Sequence, residues 1–216
     1  MRTKPIIIVL AGVNGAGKSS VFGPLLNDYG ISTWYNPDRY ASKLKERYSE
    51  TEANSLAWEF GFEKFKSKVK AGQNFAFETT LGGRTYTDEL IKATSTHEVN
   101  ILYCGLESPE LHITRVAERV RLGGHAIPEE KIRERWIKSP LNLIRLLPYI
   151  HALQVFDNSA LSVDQMIEQP QRVLYIRDKK IRFPNVGNKD ELALTPGWAK
   201  PIVMAAIDLY ADKEKF

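Results

Sequence analysis

Cysteine is nearly missing from this chain. The single Cys104 cannot form an internal disulfide, and its place at the end of the apolar stretch Val99–Cys104 reads as a buried strand in a reducing compartment. Long hydrophobic runs are missing too. The run Pro5–Leu10 is too short to cross a bilayer and no small-residue cleavage site follows it, so a signal peptide is rejected, no membrane association is expected and the cytoplasm is the expected location. Neither an internal repeat nor a low-complexity linker divides the 216 residues, 43% of them hydrophobic. One domain over 1–216 is therefore expected, with 168–216 as a C-terminal extension packed on its core. An interleaving of rings with basic residues is lacking as well: Lys and Arg gather between Arg115 and Lys138 while the aromatics are scattered. No stacking platform for single-stranded nucleic acid is visible, and the formal charge of +4 suits an enzyme of polyanionic phosphates equally well.

What the chain does have is "LAGVNGAGKSS", three glycines, a lysine and two serines directly after an apolar run. Gly12, Gly17, Lys18 and Ser19 fit G-x-x-x-x-G-K-[ST], in which backbone N–H groups wrap nucleotide phosphates, the lysine reaches the β- and γ-phosphates and the hydroxyl ligates Mg²⁺. Gly12, Asn14, Gly15, Ala16, Gly17, Lys18, Ser19 and Ser20 are accordingly the nucleotide-binding candidates, with Ser19 the metal ligand. A dinucleotide loop, G-x-G-x-x-G, is the alternative, and Asp38 lies at a suitable distance for its ribose-binding acid. Against it, Ser20 stands where the third glycine belongs.

Apolar stretches alternate with helical patterns, which implies an α/β fold of three layers, a parallel five-stranded sheet between helices, with a helical lid and a C-terminal β-hairpin plus helix. The strands are read at Pro5–Ala11, Ile31–Tyr35, Asn74–Glu78, Val99–Cys104 and Ala152–Phe156. Helical spacing of apolar residues marks Thr51–Lys70, and further helices are read at Pro109–Leu122, from Pro128 as first helical residue, and near Trp198–Tyr210. Pro24 and Pro140 predict breaks in the helices that contain them. Arg172–Phe183 reads as two edge strands with a charged turn.

In doubly wound sheets ligands sit beyond the carboxyl ends of strands, so residues there are the candidates for chemistry. Asp38 in "NPDR" is placed to accept a proton from an attacking hydroxyl; equally, Asn36 caps a helix, Pro37 starts it and Asp38 complements its dipole. The stretch "FAFETTLGG" ends a strand in Glu78, where an acid can position magnesium or bind a substrate hydroxyl, with Thr79, Thr80 and Arg84 beside it, or simply form a turn. Arg115 and Arg119 lie a helical turn apart, Gly123-Gly124 makes a hinge, and Arg133 and Arg135 return on the next helix. Arginines on a mobile lid can stabilise the charge of a phosphoryl group in transfer; the alternative is a solvated helix paired with Glu118, Glu129, Glu130 and Glu134. His125 is a phosphate or substrate contact, or a hinge cap, and Asn158 in "FDNS" reads the base or forms an Asx turn.

Behind the phosphate loop, "NPD", "FAFETTLGG", "RVAERVRLGGHAIPEEKIRERWIKSPLNL" and "FDNS" in this order resemble the zeta-toxin-like branch of P-loop kinases over roughly the first three quarters of the chain. The likeness is greatest to a compact chromosomal subgroup, and the arginine spacing around Gly123-Gly124-His125 departs from the plasmid toxins. The resemblance implies an ATP- and Mg²⁺-dependent kinase acting on a hydroxyl of a small molecule, with UDP-N-acetylglucosamine the acceptor of the better known members. It implies Lys18 and Ser19 on ATP and magnesium, Asp38 as base, Glu78 with Thr80 at the substrate, and Arg119 and Arg135 as catalytic lid arginines. Nothing in the sequence indicates an antitoxin partner. Two rivals remain: an ATPase switch whose lid docks a macromolecule, and a nucleic-acid end kinase, favoured by the net positive charge.

Overall fold

The computed structural model describes residues 4–28, 31, 33–160 and 169–211; the ends of the expected C-terminal extension, 168 and 212–216, lie outside them. One six-stranded sheet contains β1 (Ile6–Ala11), β2 (Phe75–Thr79), β3 (Glu98–Gly105), β4 (Ala152–Asp157), β5 (Gln171–Arg177) and β6 (Lys180–Phe183), in the order β2-β1-β3-β4-β5-β6. The helices are α1 (Lys18–Asp28), α2 (Pro37–Leu44), α3 (Glu50–Lys70), α4 (Arg84–Ala93), α5 (Pro109–Arg121), α6 (Glu129–Leu146), α7 (Lys189–Ala193) and α8 (Lys200–Tyr210), the last preceded by a 3-10 turn, Gly197–Ala199.

The central strands are apolar on both faces because both are covered. Along β1, Ile7, Val9 and Ala11 join the core beneath α3, α4, α6 and α8, whereas Ile8 and Leu10 join the core beneath α1. The alternation repeats in β3, with Ile101 and Tyr103 on the first face and Leu102 and Cys104 on the second. The three layers follow from these two cores. Among the described residues no helix is long and apolar enough to cross a membrane.

The sheet corrects one expectation. Ile31–Tyr35 does not form a strand: residue 32 lies outside the described residues, and of this stretch Tyr35 alone makes a parallel bridge, to Phe77. The chain turns away at once because Asn36 caps α2, accepting from Arg39 N at 3.0 Å. The parallel part therefore has four strands, β2, β1, β3 and β4, rather than five. The C-terminal hairpin forms where Arg172–Phe183 predicts it. β5 pairs antiparallel with β4 and β6 with β5, so the hairpin extends the sheet and covers an edge that β4 would otherwise expose. Its two turn residues, Asp178 and Lys179, have φ of 54° and 58°, the left-handed pair that a two-residue hairpin turn needs.

Both expected proline breaks are absent. α1 runs unbroken from Lys18 to Asp28, pinned to the sheet by fully buried Phe22 and Leu26, and α6 passes through Pro140 with Ser139, Leu143 and Leu146 buried around it. Burial of one face outweighs the backbone bond that each proline removes. Pro128 is the N-cap of α6 rather than its first residue: its backbone is extended, and its carbonyl accepts from Lys131 N and Ile132 N at 3.0 and 3.2 Å.

Candidate active site

The order β2-β1-β3 places a switch point at the carboxyl end of β1, and the glycine loop occupies it. Gly12, Gly15 and Gly17 have φ of 137°, 83° and 85°. Space forbids side chains there as well: a Cβ on Gly12 would lie 2.1 Å from the Cys104 carbonyl oxygen, and one on Gly17 would lie 2.6 Å from Asn158 Nδ2. Lys18 curls over the loop and donates to the carbonyls of Gly12 at 2.8 Å and Val13 at 3.3 Å. Its burial lowers the ammonium pKa against the opposing pull of Glu78 and Asp38.

The loop is held from behind. Cys104 Sγ donates to the Ala16 carbonyl at 3.1 Å and Asn158 Nδ2 donates to the same oxygen at 2.9 Å. Burial pushes the Cys104 thiol up to about 12, so it is a neutral donor. Nδ1 of buried His112 lies 2.8 Å from the Asn14 carbonyl oxygen, and Arg135 Nη1 donates to Asn14 Oδ1 at 2.7 Å.

In front of the loop stand the carboxylates. Glu78, at the tip of β2, is buried and accepts from Ser19 Oγ at 2.7 Å and Trp34 Nε1 at 2.8 Å on one oxygen. Asp38 sits in the first turn of α2, and Arg119 Nη1 from α5 approaches its Oδ2 to 3.4 Å. Arg119 Nη2 also donates to the His125 carbonyl at 2.8 Å, and His125 Nδ1 lies 2.8 Å from Glu50 Oε1 at the start of α3. The hinge is tight at this point: a Cβ on Gly124 would be 2.7 Å from the Arg119 carbonyl oxygen.

Two cavities meet here. One, of about 570 Å³, is lined by Gly15, Gly17, Lys18, Ser19, Ser20 and Arg119, the other, of about 290 Å³, by Thr79, Thr80, Trp58, Tyr86, Lys131 and Arg135. Asn14, Asp38, Glu78 and His125 line both. The shared wall thus carries both carboxylates. The sequence motifs predict all four of these residues, and Thr79, Thr80, Arg119 and Arg135 besides. Arg84, also a candidate from the sequence, is exposed at the start of α4 and lines neither cavity. Gly12, Ala16 and Asn158 lie under the loop, as carbonyl acceptors and a strut rather than as cavity wall. Arg133 pairs with Glu110 at 2.7 Å on the surface, the solvated reading of that residue.

Sequence reasoning missed Trp34, Trp58, Tyr86, Lys131 and His112. Periodicity absorbs such residues into helix faces. One signal was available: α3 buries Ala53, Ala57, Gly61 and Phe65 at a strict spacing of four, and Trp58 falls off that stripe, 45% exposed.

The fold that this loop and sheet define is that of the P-loop kinases. The sequence matches the zeta toxin family over residues 1–183, and the chain belongs to that family. An uncharacterized protein of Haemophilus influenzae is 27% identical over 133 residues, which is 60% of this chain and 91% of that protein. Among solved structures, the complex of AvrRxo1-ORF1 and AvrRxo1-ORF2 with ATP superposes with a TM-score of 0.64 at 15% identity, covering 90% of this chain; the chain spans 65% of that one. The PezAT chromosomal toxin–antitoxin system of Streptococcus pneumoniae gives a TM-score of 0.50 at 18% identity, covering 72% of this chain and 68% of that one. Family membership supports a P-loop phosphotransferase.

Proposed function

We propose that the chain transfers the γ-phosphoryl group of ATP to a hydroxyl of a small-molecule acceptor, with UDP-N-acetylglucosamine the acceptor that family membership favours. The observation that carries this reading is the shared wall: a cavity over the glycine loop and a second cavity joined at Asp38 and Glu78. ATP phosphates would lie on the loop amides, and Lys18 would exchange its two carbonyl partners for the β- and γ-phosphates. The Ser19 hydroxyl and the Glu78 carboxylate beside it fit Mg²⁺, which takes oxygen ligands and few protein groups; when bound it neutralises the phosphate charge. Asp38 would accept the acceptor's proton, since it lies on the wall common to both cavities. Arg119 has a buried Nε with no partner among the described residues, a donor left for phosphate, and Arg135 stands at the acceptor side.

Labelled ATP with Mg²⁺, offered UDP-sugars, nucleosides and oligonucleotides, tests the assignment, with Lys18→Ala as the blank. Asp38→Asn is expected to lower transfer by about 10²- to 10⁴-fold while ATP binding changes little. Equal loss of both would remove Asp38 from the base role.

Oligonucleotides belong in the panel for a specific reason. A groove of about 460 Å³ beside Asn36 carries Arg39, Lys43, Lys64 and Lys68 among Trp34, Tyr35 and Tyr40, with no acid among the described residues of its wall. That favours the nucleic-acid end kinase as second reading, and its mark would be steep salt dependence. A protein partner is also proposed, because PezAT is a toxin–antitoxin system and AvrRxo1-ORF1 occurs with a second chain.

A further inference from the structure

A third cavity, of about 270 Å³, lies between α6 and the 3-10 turn before α8 and shares no lining residue with the other two. Its wall is apolar, built from Tyr103, Leu106, Trp136, Leu141, Ile144 and Trp198. The polar groups of these rings are already used. Tyr103 donates to Ser139 Oγ at 3.0 Å, Trp136 Nε1 to the Leu106 carbonyl at 3.4 Å, and Trp198 Nε1 to Asp157 Oδ1 at 3.2 Å.

His112 also lines this cavity and differs from them. The residue is 0% exposed, and its Nδ1 faces the Asn14 carbonyl at 2.8 Å. A carbonyl only accepts, so Nδ1 carries the proton and Nε2 is left as a bare acceptor. Nε2 is buried and has no partner among the described residues. Burial holds the imidazole pKa down to about 4, so Nε2 stays unprotonated at neutral pH. A buried acceptor without a donor carries the full loss of its hydration, and an incoming donor recovers it.

We propose that this cavity is a ligand site distinct from the nucleotide and acceptor cavities, and that it takes a neutral one- or two-ring molecule whose single N–H or O–H donates to His112 Nε2. The volume lies just below the usual range of ligand sites, which begins at about 300 Å³, so one fused ring system is the upper size. A charged ligand finds no counter-ion among the described residues of the wall. A polyol finds no partner for its second hydroxyl.

Indole and indene make the decisive pair of probes, equal in shape but with an N–H replaced by a CH₂. Binding to the full chain is followed by calorimetry and by ¹⁵N spectra of histidine-labelled protein. Indole is expected to bind saturably, about tenfold more tightly than indene, and to shift one histidine Nε2 resonance that indene leaves in place. Leu141 is 55% exposed at the rim, so Leu141→Trp is expected to fold normally, as thermal unfolding checks, and to weaken indole binding at least tenfold by filling the mouth. Equal affinity for indole and indene, no saturable indole binding, or indole binding undiminished in a folded Leu141→Trp would each overturn the proposal.

Discussion

Single atoms decide the behaviour of the phosphate loop. Gly12 passes so close to the end of β3 that a Cβ there would overlap the Cys104 carbonyl oxygen at 2.1 Å, and that partner is backbone inside a sheet. Gly12→Ala is therefore expected to lower stability by about 3 kcal/mol, seen as a shift in denaturant midpoint, since overpacking and a φ of 137° act together. His112 contributes a pH dependence. Its folded pKa of about 4 is below the ordinary 6.5, so between those values the unfolded chain takes up a proton that the folded chain refuses. Stability from this residue is complete above pH 6.5 and falls away as pH drops toward 4, by about 3 kcal/mol in all. Unfolding midpoints at pH 7 and pH 4.5 should converge by roughly that amount in His112→Asn relative to the parent chain. An unchanged pH dependence in the variant would show that the ring is protonated in the fold.

At the level of elements, the lid joins the two helices that carry arginine to the site. α5 presents Arg119 and α6 presents Arg135, and between them Gly124 N donates to the Arg119 carbonyl at 2.9 Å. A methyl group on Gly124 would press on both that carbonyl and Arg119 Cγ at 2.7 Å. Gly124→Ala should thus move Arg119 away from Asp38 and slow phosphoryl transfer by about tenfold or more, with the helices intact by circular dichroism. Transfer at the parent rate would show that Arg119 is dispensable to the chemistry.

For the whole molecule, the region beyond the family match is part of the core. α8 buries Ile202, Val203 and Ala206 against the same face of the sheet as α3, α4 and α6, and Trp198 packs over Gly105, where a Cβ would meet its ring at 2.3 Å. A chain ended at residue 183 is expected to lose cooperative unfolding, because three fully or almost fully buried side chains leave an apolar face to water. A sharp thermal transition in that truncation would show the extension to be dispensable.

The sequence alone determined the loop, the alternation of strand and helix, the hairpin and most of the candidate site, because those features are local. Glycines at fixed spacing, an apolar run and an Asn-Pro-Asp cap specify backbone conformation within a few residues of themselves. The tertiary structure alone decided which strands pair and which side chains share a wall. Ile31–Tyr35 has strand composition but makes one bridge, and Pro24 and Pro140 sit inside helices, since burial on the sheet outweighs local preference. Trp34 meets Glu78 across 44 residues and His112 meets Asn14 across 98, contacts that no local pattern encodes. They exist because the sheet order brings β1, β2 and the start of α5 to one end of the molecule.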